Sequence, residues 1–257
     1  MVSIRKKLIY LVSGCTLFAT LLLGGISIVR ISRIVYKNSQ DTLQLQCRAT
    51  KESLDVTLGN IEQAVGTIKD IILSEIDSVA RLRTDAAYRL SFLNQILLTN
   101  RAIIFNTRGC TAYYFLLSPD IVPAKSGYFW VYDSYYTRFL HKDVPDFTQY
   151  TEYDIEKAGR YYLAKKKGNA IWTIPYHDDV TQQEIITYAM PIYVKGTFIG
   201  VVGIDMQQSL LADEVKDVSL YKTGYAYLVD EQDRAIYHKD YDPGDLTFTF
   251  KDNARTY

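Results

Sequence analysis

Cysteine and histidine are scarce in this chain of 257 residues, with three of each. Cys15, Cys47 and Cys110 are widely separated and form no C-x-x-C pair, which removes zinc-ribbon readings. A Cys47–Cys110 disulfide would need Cα atoms within about 7 Å, and the predicted rod keeps them apart. His141, His177 and His238 show neither H-x-x-x-H nor H-E-x-x-H spacing, so no metal site is expected. His177-Asp178-Asp179 reads as a solvated turn. Charge of one sign is also missing. The 29 basic and 29 acidic residues leave a formal net charge of zero, whereas nucleic-acid binders carry a basic footprint, so no nucleic-acid partner is expected. There is no G-x-S-x-G and no Ser-x-x-Lys in a catalytic setting. The VVGID segment lacks the strand–turn–helix context of a phosphate loop. Lys165-Lys166-Lys167 reads as a solvated helix end. No enzyme signature is present and no cofactor is implied.

Proline is absent from residue 31 to about residue 100, and glycine occurs there only as Gly59 and Gly66. That stretch reads as a long helix. Leu54, Leu58, Ile61, Val65, Ile68, Ile72, Ile76 and Val79 recur at intervals of three and four, which is one buried seam. The seam fits either packing on the chain's own domain or a parallel dimer. Before it, residues 8–29 carry no charge and follow Arg5, Lys6 and Lys7. At 1.5 Å per residue they span roughly 33 Å, enough to cross the hydrocarbon core. The basic flank places the short N-terminus in the cytoplasm. A cleaved signal peptide is disfavoured by the length of the run and by the absence of an A-x-A-like site. The helix continuing outward is then a rod able to carry a piston or rotation.

Beyond residue 98 the pattern changes. Residues 102–105, 112–117 and 128–132 read as strands, 142–154 as a loop and 156–166 as a short helix. Residues 185–194 and 198–204 are near-continuous apolar runs joined by Lys195-Gly196, a two-residue hairpin connection. Strands apolar on both alternations are covered on both faces. Residues 209–217 read as a linking helix, and 225–230 with 234–238 as a further hairpin. Helices interleaved with antiparallel hairpins argue an α+β fold. Tyrosine is abundant, 22 residues with thirteen between Tyr113 and Tyr193. That suits either pocket walls or a tyrosine-rich sheet surface. Trp172, Pro175 and Tyr176 offer an aromatic wall and a hydroxyl beside Asp205, which ends the second apolar run. A carboxylate there needs a cationic partner, and no Lys or Arg lies near it in the strand.

W-x-x-P-Y followed by ITYAMPIY and KGTFIGVVGID resembles the membrane-distal half of double Cache domains, the extracytoplasmic sensors of bacterial chemoreceptors, sensor kinases and diguanylate cyclases. SGYFWVYDS upstream and LYKTGYAYLVDEQDRAIYHKD downstream extend the likeness over roughly residues 99–240. The resemblance implies a PAS-like antiparallel sheet with a ligand cupped on one face. It also implies an anchor at 1–30, a stalk helix at 31–98, a membrane-distal subdomain at 99–215 and an incomplete membrane-proximal one at 216–257. The chain is then expected to be part of a longer receptor, single-pass in a bacterial cell membrane with its C-terminal part outside, and a parallel homodimer. In amino-acid-sensing members an Arg-x-Trp-Tyr cluster holds the ligand carboxylate, and a later Tyr and Asp hold its ammonium. The later pair matches Tyr176 and Asp205, and Tyr161 matches the cluster's tyrosine. Arg160 stands at the tryptophan position and Ala158 at the arginine position. The implied ligand is an amine or amino acid, held by Asp205, Tyr176, Tyr161, Trp172 and Arg160. The rival reading is a membrane-anchored coiled-coil stalk whose head binds a protein.

Overall fold

The N-terminal helix α1 (Ile4–Glu75) is a single rod of 72 residues, about 108 Å at 1.5 Å per residue. The computed structural model to which it belongs describes residues 4–219 and 224–245, without the side chains of 155 and 156. Among the described residues α1 is the one helix long and apolar enough to cross a membrane. Leu8, Leu11, Leu17, Phe18, Leu21 and Leu23 are all exposed around its first part. A helix apolar on every side has, by length and composition, what a membrane span requires.

Further along, Leu54, Ile61, Val65, Ile68 and Ile72 are buried. They join one core with the strands and the later helices, so this stretch of the seam serves the chain's own domain. The helix expected to run to residue 98 stops at Glu75. Two side-chain caps explain the break. Ser78 accepts the Arg81 N–H ahead of α2 (Val79–Thr84), and Asp85 accepts the Tyr88 N–H at 2.9 Å ahead of α3 (Ala86–Asn106). The α3 helix returns antiparallel to α1. At the tip the Asp77 N–H donates to the Tyr88 hydroxyl at 2.9 Å, and further down Ala64 and Thr67 share a cleft with Ile103 and Asn106. Residues 102–105, read as a strand, form the last turn of α3. Phe92, Ile96, Asn100 and Ile104 are buried at intervals of four, a helical spacing that the local AIIF run conceals.

The chain then builds β1 (Ala112–Leu117), β2 (Gly127–Asp133), β3 (Arg138–Lys142), a 3-10 turn at Phe147–Gln149 and α4 (Ile155–Lys167). Next come β4 (Ile171–Trp172), β5 (Tyr176–Asp178), β6 (Gln183–Val194), β7 (Thr197–Gln207) and α5 (Gln208–Lys216). The seven strands form one antiparallel sheet in the order β3-β2-β1-β7-β6-β4, with β5 also pairing β6. Strand β3 escaped the sequence reading because RFLHK has little alternation, and only its pairing with β2 makes it a strand. Lys195 and Gly196 turn the β6–β7 hairpin with φ of 48° and 80°, the left-handed pair that a two-residue hairpin loop requires. Gly168, at φ 69°, closes α4 by donating its N–H to the Ala164 carbonyl.

The central hairpin is covered on both sides, as its apolar runs require. Ile186, Val202, Ile204 and Met206 face the core shared with α1, α3 and α5. Ala189 and Val201 face the second core, under α4. A small sheet of β8 (Leu228–Val229) and β9 (Ala235–Tyr237) follows, and its Leu228, Ile236 and Tyr237 rest on the first core. The start of the LYKTG segment (220–223) and the tail at 246–257 lie outside the described residues. The architecture is the expected α+β one, with an antiparallel sheet between the rod and a covering helix.

Candidate functional site

The second core contains a buried ionic cluster between α4 and the sheet. Arg160, on the inward face of α4, is 5 % exposed and Asp205, on β7, is 0 % exposed. The Arg160 Nη1 donates to Asp205 Oδ2 at 2.7 Å, and its Nη2 donates to Asp178 Oδ1 on β5. The second Asp205 oxygen accepts the Thr187 hydroxyl at 2.7 Å, and the Tyr176 hydroxyl meets Thr187 Oγ1 at 2.9 Å. Asp178 Oδ2 also accepts the Thr181 N–H at 2.8 Å. The guanidinium carbon lies 5.5 Å from the Tyr114 and Phe129 ring centres and 5.8 Å from that of Tyr176, a range in which aromatic faces attract a cation.

The strands place these groups by parity. Thr187 pairs in register with Asp205, so hydroxyl and carboxylate project side by side from β6 and β7. Tyr176 and Asp178 are two apart on β5 and share its inward face. Gly203 leaves room for a neighbouring ring, since a Cβ there would lie 2.3 Å from the Tyr114 hydroxyl. That hydroxyl is buried without a hydrogen-bond partner.

The electrostatics are unbalanced. Two carboxylates share one guanidinium within a closed core, which leaves one negative charge without a counterion. Burial pushes the Asp205 carboxyl up to about 6, with Arg160 acting against the shift and Asp178 adding to it. Burial opposes the charge on Arg160, yet Asp205 and its other neighbours outweigh burial and hold the guanidinium firmly protonated. Burial also lifts the Tyr114 and Tyr176 phenols above their ordinary range.

The sequence predictions meet this geometry unevenly. Asp205, Tyr176 and Arg160 come together, with the Thr187 hydroxyl as the common point of the first two. The partner of Asp205 differs from expectation. The sequence reading left that charge for a ligand ammonium because the strand holds no cation, but Arg160 reaches it from α4, 45 residues away in sequence. Tyr161 is buried on the same helix, but it stacks on Phe147 and bonds the Ser118 hydroxyl at 3.3 Å, beside the cluster rather than in it. Trp172 does not line this site. It faces the rod on the opposite side of the sheet, where its Nε1 donates to Glu62 at 2.7 Å and its ring meets Tyr188. Asp178 and Thr187 were missed. Asp178 was read as part of a solvated triplet, although its spacing of two from Tyr176 on a strand puts both on one face.

Comparison with known proteins follows from this architecture. A family model described as Cache domain matches residues 31–253. A probable methyl-accepting chemotaxis protein of Bacillus thuringiensis is 28% identical over 194 residues, which cover 74% of this chain and 27% of the relative. The chain therefore spans about a quarter of that relative's length. Among solved structures, a protein described as methyl-accepting chemotaxis protein X aligns with a TM-score of 0.58 at 19% identity, covering 87% of this chain and 83% of that one. The sensory domain of the Campylobacter jejuni chemoreceptor Tlp3 with isoleucine bound gives 0.52 at 19% identity, covering 85% and 78%. The ligand-binding domain of Mlp24 with asparagine gives 0.52 at 20%, with the same coverage. At these identities the solved structures establish the fold, and the family match extends across nearly all of it. The chain belongs to the Cache domain family, whose model matches residues 31–253.

Proposed function

We propose that this chain is the extracytoplasmic small-molecule sensing region of a transmembrane signalling receptor, and that it takes an amine or amino acid beneath α4. The observation that carries the reading is the charge count. Asp205 and Asp178 face each other across a single guanidinium, so a second cation entering the cluster removes an uncompensated buried charge. A ligand ammonium accepted by the two carboxylates and the Tyr176 hydroxyl supplies that charge through charge-assisted hydrogen bonds. Arg160, freed from one carboxylate, can turn its planar fork to a ligand carboxylate when there is one. The isoleucine bound by Tlp3 and the asparagine bound by Mlp24 have this zwitterionic chemistry.

In this reading residues 8–29 anchor the chain in a bacterial cell membrane with the remainder outside. Residues 99–215 form the membrane-distal sensing unit, residues 216–257 belong to a membrane-proximal one, and two chains assemble in parallel. Ligand binding under α4 shifts the sheet against α1, which carries the change to the membrane. A methyl-accepting output of the kind borne by the Bacillus relative is part of the same proposal. One observation favours a second reading, a ligand-free head on a membrane stalk: Arg160 already occupies the space between the carboxylates.

Thermal unfolding of the full chain in detergent, against isoleucine, asparagine and the amines that match them, separates the two. A ligand at a hundred times its Kd stabilises by about 2.7 kcal/mol. The sensing reading expects such a shift from at least one compound, lost in Asp205→Asn. A panel without any shift supports the stalk.

A further inference from the structure

On the opposite side of the sheet from Arg160, α3 and the β2–β3 hairpin enclose a cavity of about 380 Å3. Leu97, Phe105, Tyr113 and Phe139 supply apolar walls. The charged side chains around it are two cations, Arg101 and Arg138, beside His141 and the Tyr113 hydroxyl, with no carboxylate among the lining residues. The Arg101 guanidinium rests 5.5 Å from the Phe105 ring centre and that of Arg138 rests 5.2 Å from the Tyr136 ring centre. Among the described residues neither arginine forms an ion pair. The carboxylate opposite Arg138 in the β2–β3 register, Asp133, instead accepts the Tyr136 N–H at 2.9 Å. The Trp130 Nε1–H is buried without a hydrogen-bond partner.

We propose that this cleft is a second ligand site, for a small carboxylate with an apolar body. Two guanidiniums outside any ion pair match the acceptor-only oxygens of a carboxylate, and Arg presents its donors in a fork suited to both of them. The aromatic walls take the apolar part, in a volume typical of small-molecule sites. A cationic amine is repelled by the same lining, so this site selects the charge opposite to the one the α4 cluster accepts. The site stands independently of the sensing role proposed for that cluster.

The chain contains two tryptophans, Trp130 and Trp172. A Trp172→Phe variant of the full chain in detergent micelles therefore leaves Trp130 as its only indole fluorophore. Phenylacetate should change its emission saturably at millimolar concentration or below, and phenylacetamide, which keeps the ring but lacks the charge, should bind about tenfold more weakly or worse. Arg101→Gln combined with Arg138→Gln should weaken phenylacetate to a similar degree, while Asp205→Asn should leave its affinity unchanged. If the Trp172→Phe variant does not fold, calorimetry on the unsubstituted chain with the same two probes gives the same comparison. The proposal is overturned by the absence of saturable phenylacetate binding, by equal affinity for the amide, or by loss of binding in Asp205→Asn.

Discussion

Replacing Arg160 by alanine tests the buried cluster most directly. The substitution removes the one cation that contacts both Asp205 and Asp178 and leaves two carboxylates in a closed core. Breaking a buried ion pair from one side costs about 3–5 kcal/mol, most of it the penalty on the charge left behind. For a domain of this size each kcal/mol moves Tm by about 2–4 °C, so a fall of about 6–20 °C is expected. The measurement is thermal unfolding of the full chain in detergent at pH 7.5, followed by circular dichroism. Two controls sharpen it. Without Arg160 the Asp205 carboxyl loses the cation that holds its upward shift in check, and protonation neutralises it, so the loss should shrink as the pH is lowered toward 5. A triple variant, Arg160→Met with Asp178→Asn and Asp205→Asn, removes every charge together and should recover most of the stability, because a buried ionic group can be replaced by uncharged residues of similar volume at little cost. A fall of less than about 2 °C for Arg160→Ala would mean that the guanidinium is not the counterion described here.

Asp205 titrates near 6 in the folded chain, above its ordinary 3.8. Its contribution is therefore fully present below about pH 4 and lost as the pH rises through about 6, a difference of about 3 kcal/mol at most. Asp205→Asn should flatten that part of the Tm-against-pH curve, and an unchanged curve would refute the shift. Gly203→Ala would bring a Cβ within 2.3 Å of the Tyr114 hydroxyl and 2.7 Å of the Tyr188 carbonyl. It should cost about 1–3 kcal/mol in denaturant unfolding, with only partial relief from Tyr114→Phe. Ile61 and Ile68 are buried within the chain, whereas Leu45 and Val56 are exposed eleven residues apart on one helix face. If two rods pair in parallel, cysteine at Leu45 or Val56 should crosslink between chains in membranes and cysteine at Ile61 should not.

The sequence was most legible where its patterns are local. The Lys195-Gly196 turn, the two-faced apolar runs beside it, the uncharged N-terminal run and the 156–166 helix could all be read from spacing alone. Two kinds of feature could not. Ser78 and Asp85 look like ordinary helix-surface residues until their side chains are seen accepting the Arg81 and Tyr88 N–H groups, so a break without proline or glycine was read as continuous rod. The partner of Asp205 was hidden for a different reason. Strand neighbours are visible in a sequence, but a cation delivered by a helix 45 residues upstream depends on how that helix docks. Trp172 shows the same limit in reverse. Its place beside the W-x-x-P-Y signature suggested the pocket, yet parity on the two-residue strand β4 sends Ile171 to the α4 side and Trp172 to the rod.

Strand β7 has a further consequence for the proposed sensing role, which concerns how such a protein could change its chemistry without losing its output. Val201 and Asp205 look toward α4, with Gly203 beside the Tyr114 ring, while Val202, Ile204 and Met206 look toward the rod. Alternate positions along one backbone thus face two separate cores, and in the proposed sensing role one set recognises and the other transmits, a single peptide unit of about 3.8 Å apart. On that proposal, rewriting the odd positions alters what is recognised and leaves the even positions in contact with the same core. A displacement of the Asp205 carboxylate likewise needs no chain of intermediaries, because the residues on either side of it already touch the core that α1 helps to build. Recognition can diversify on one side of the strand while the mechanical linkage on the other side stays constant.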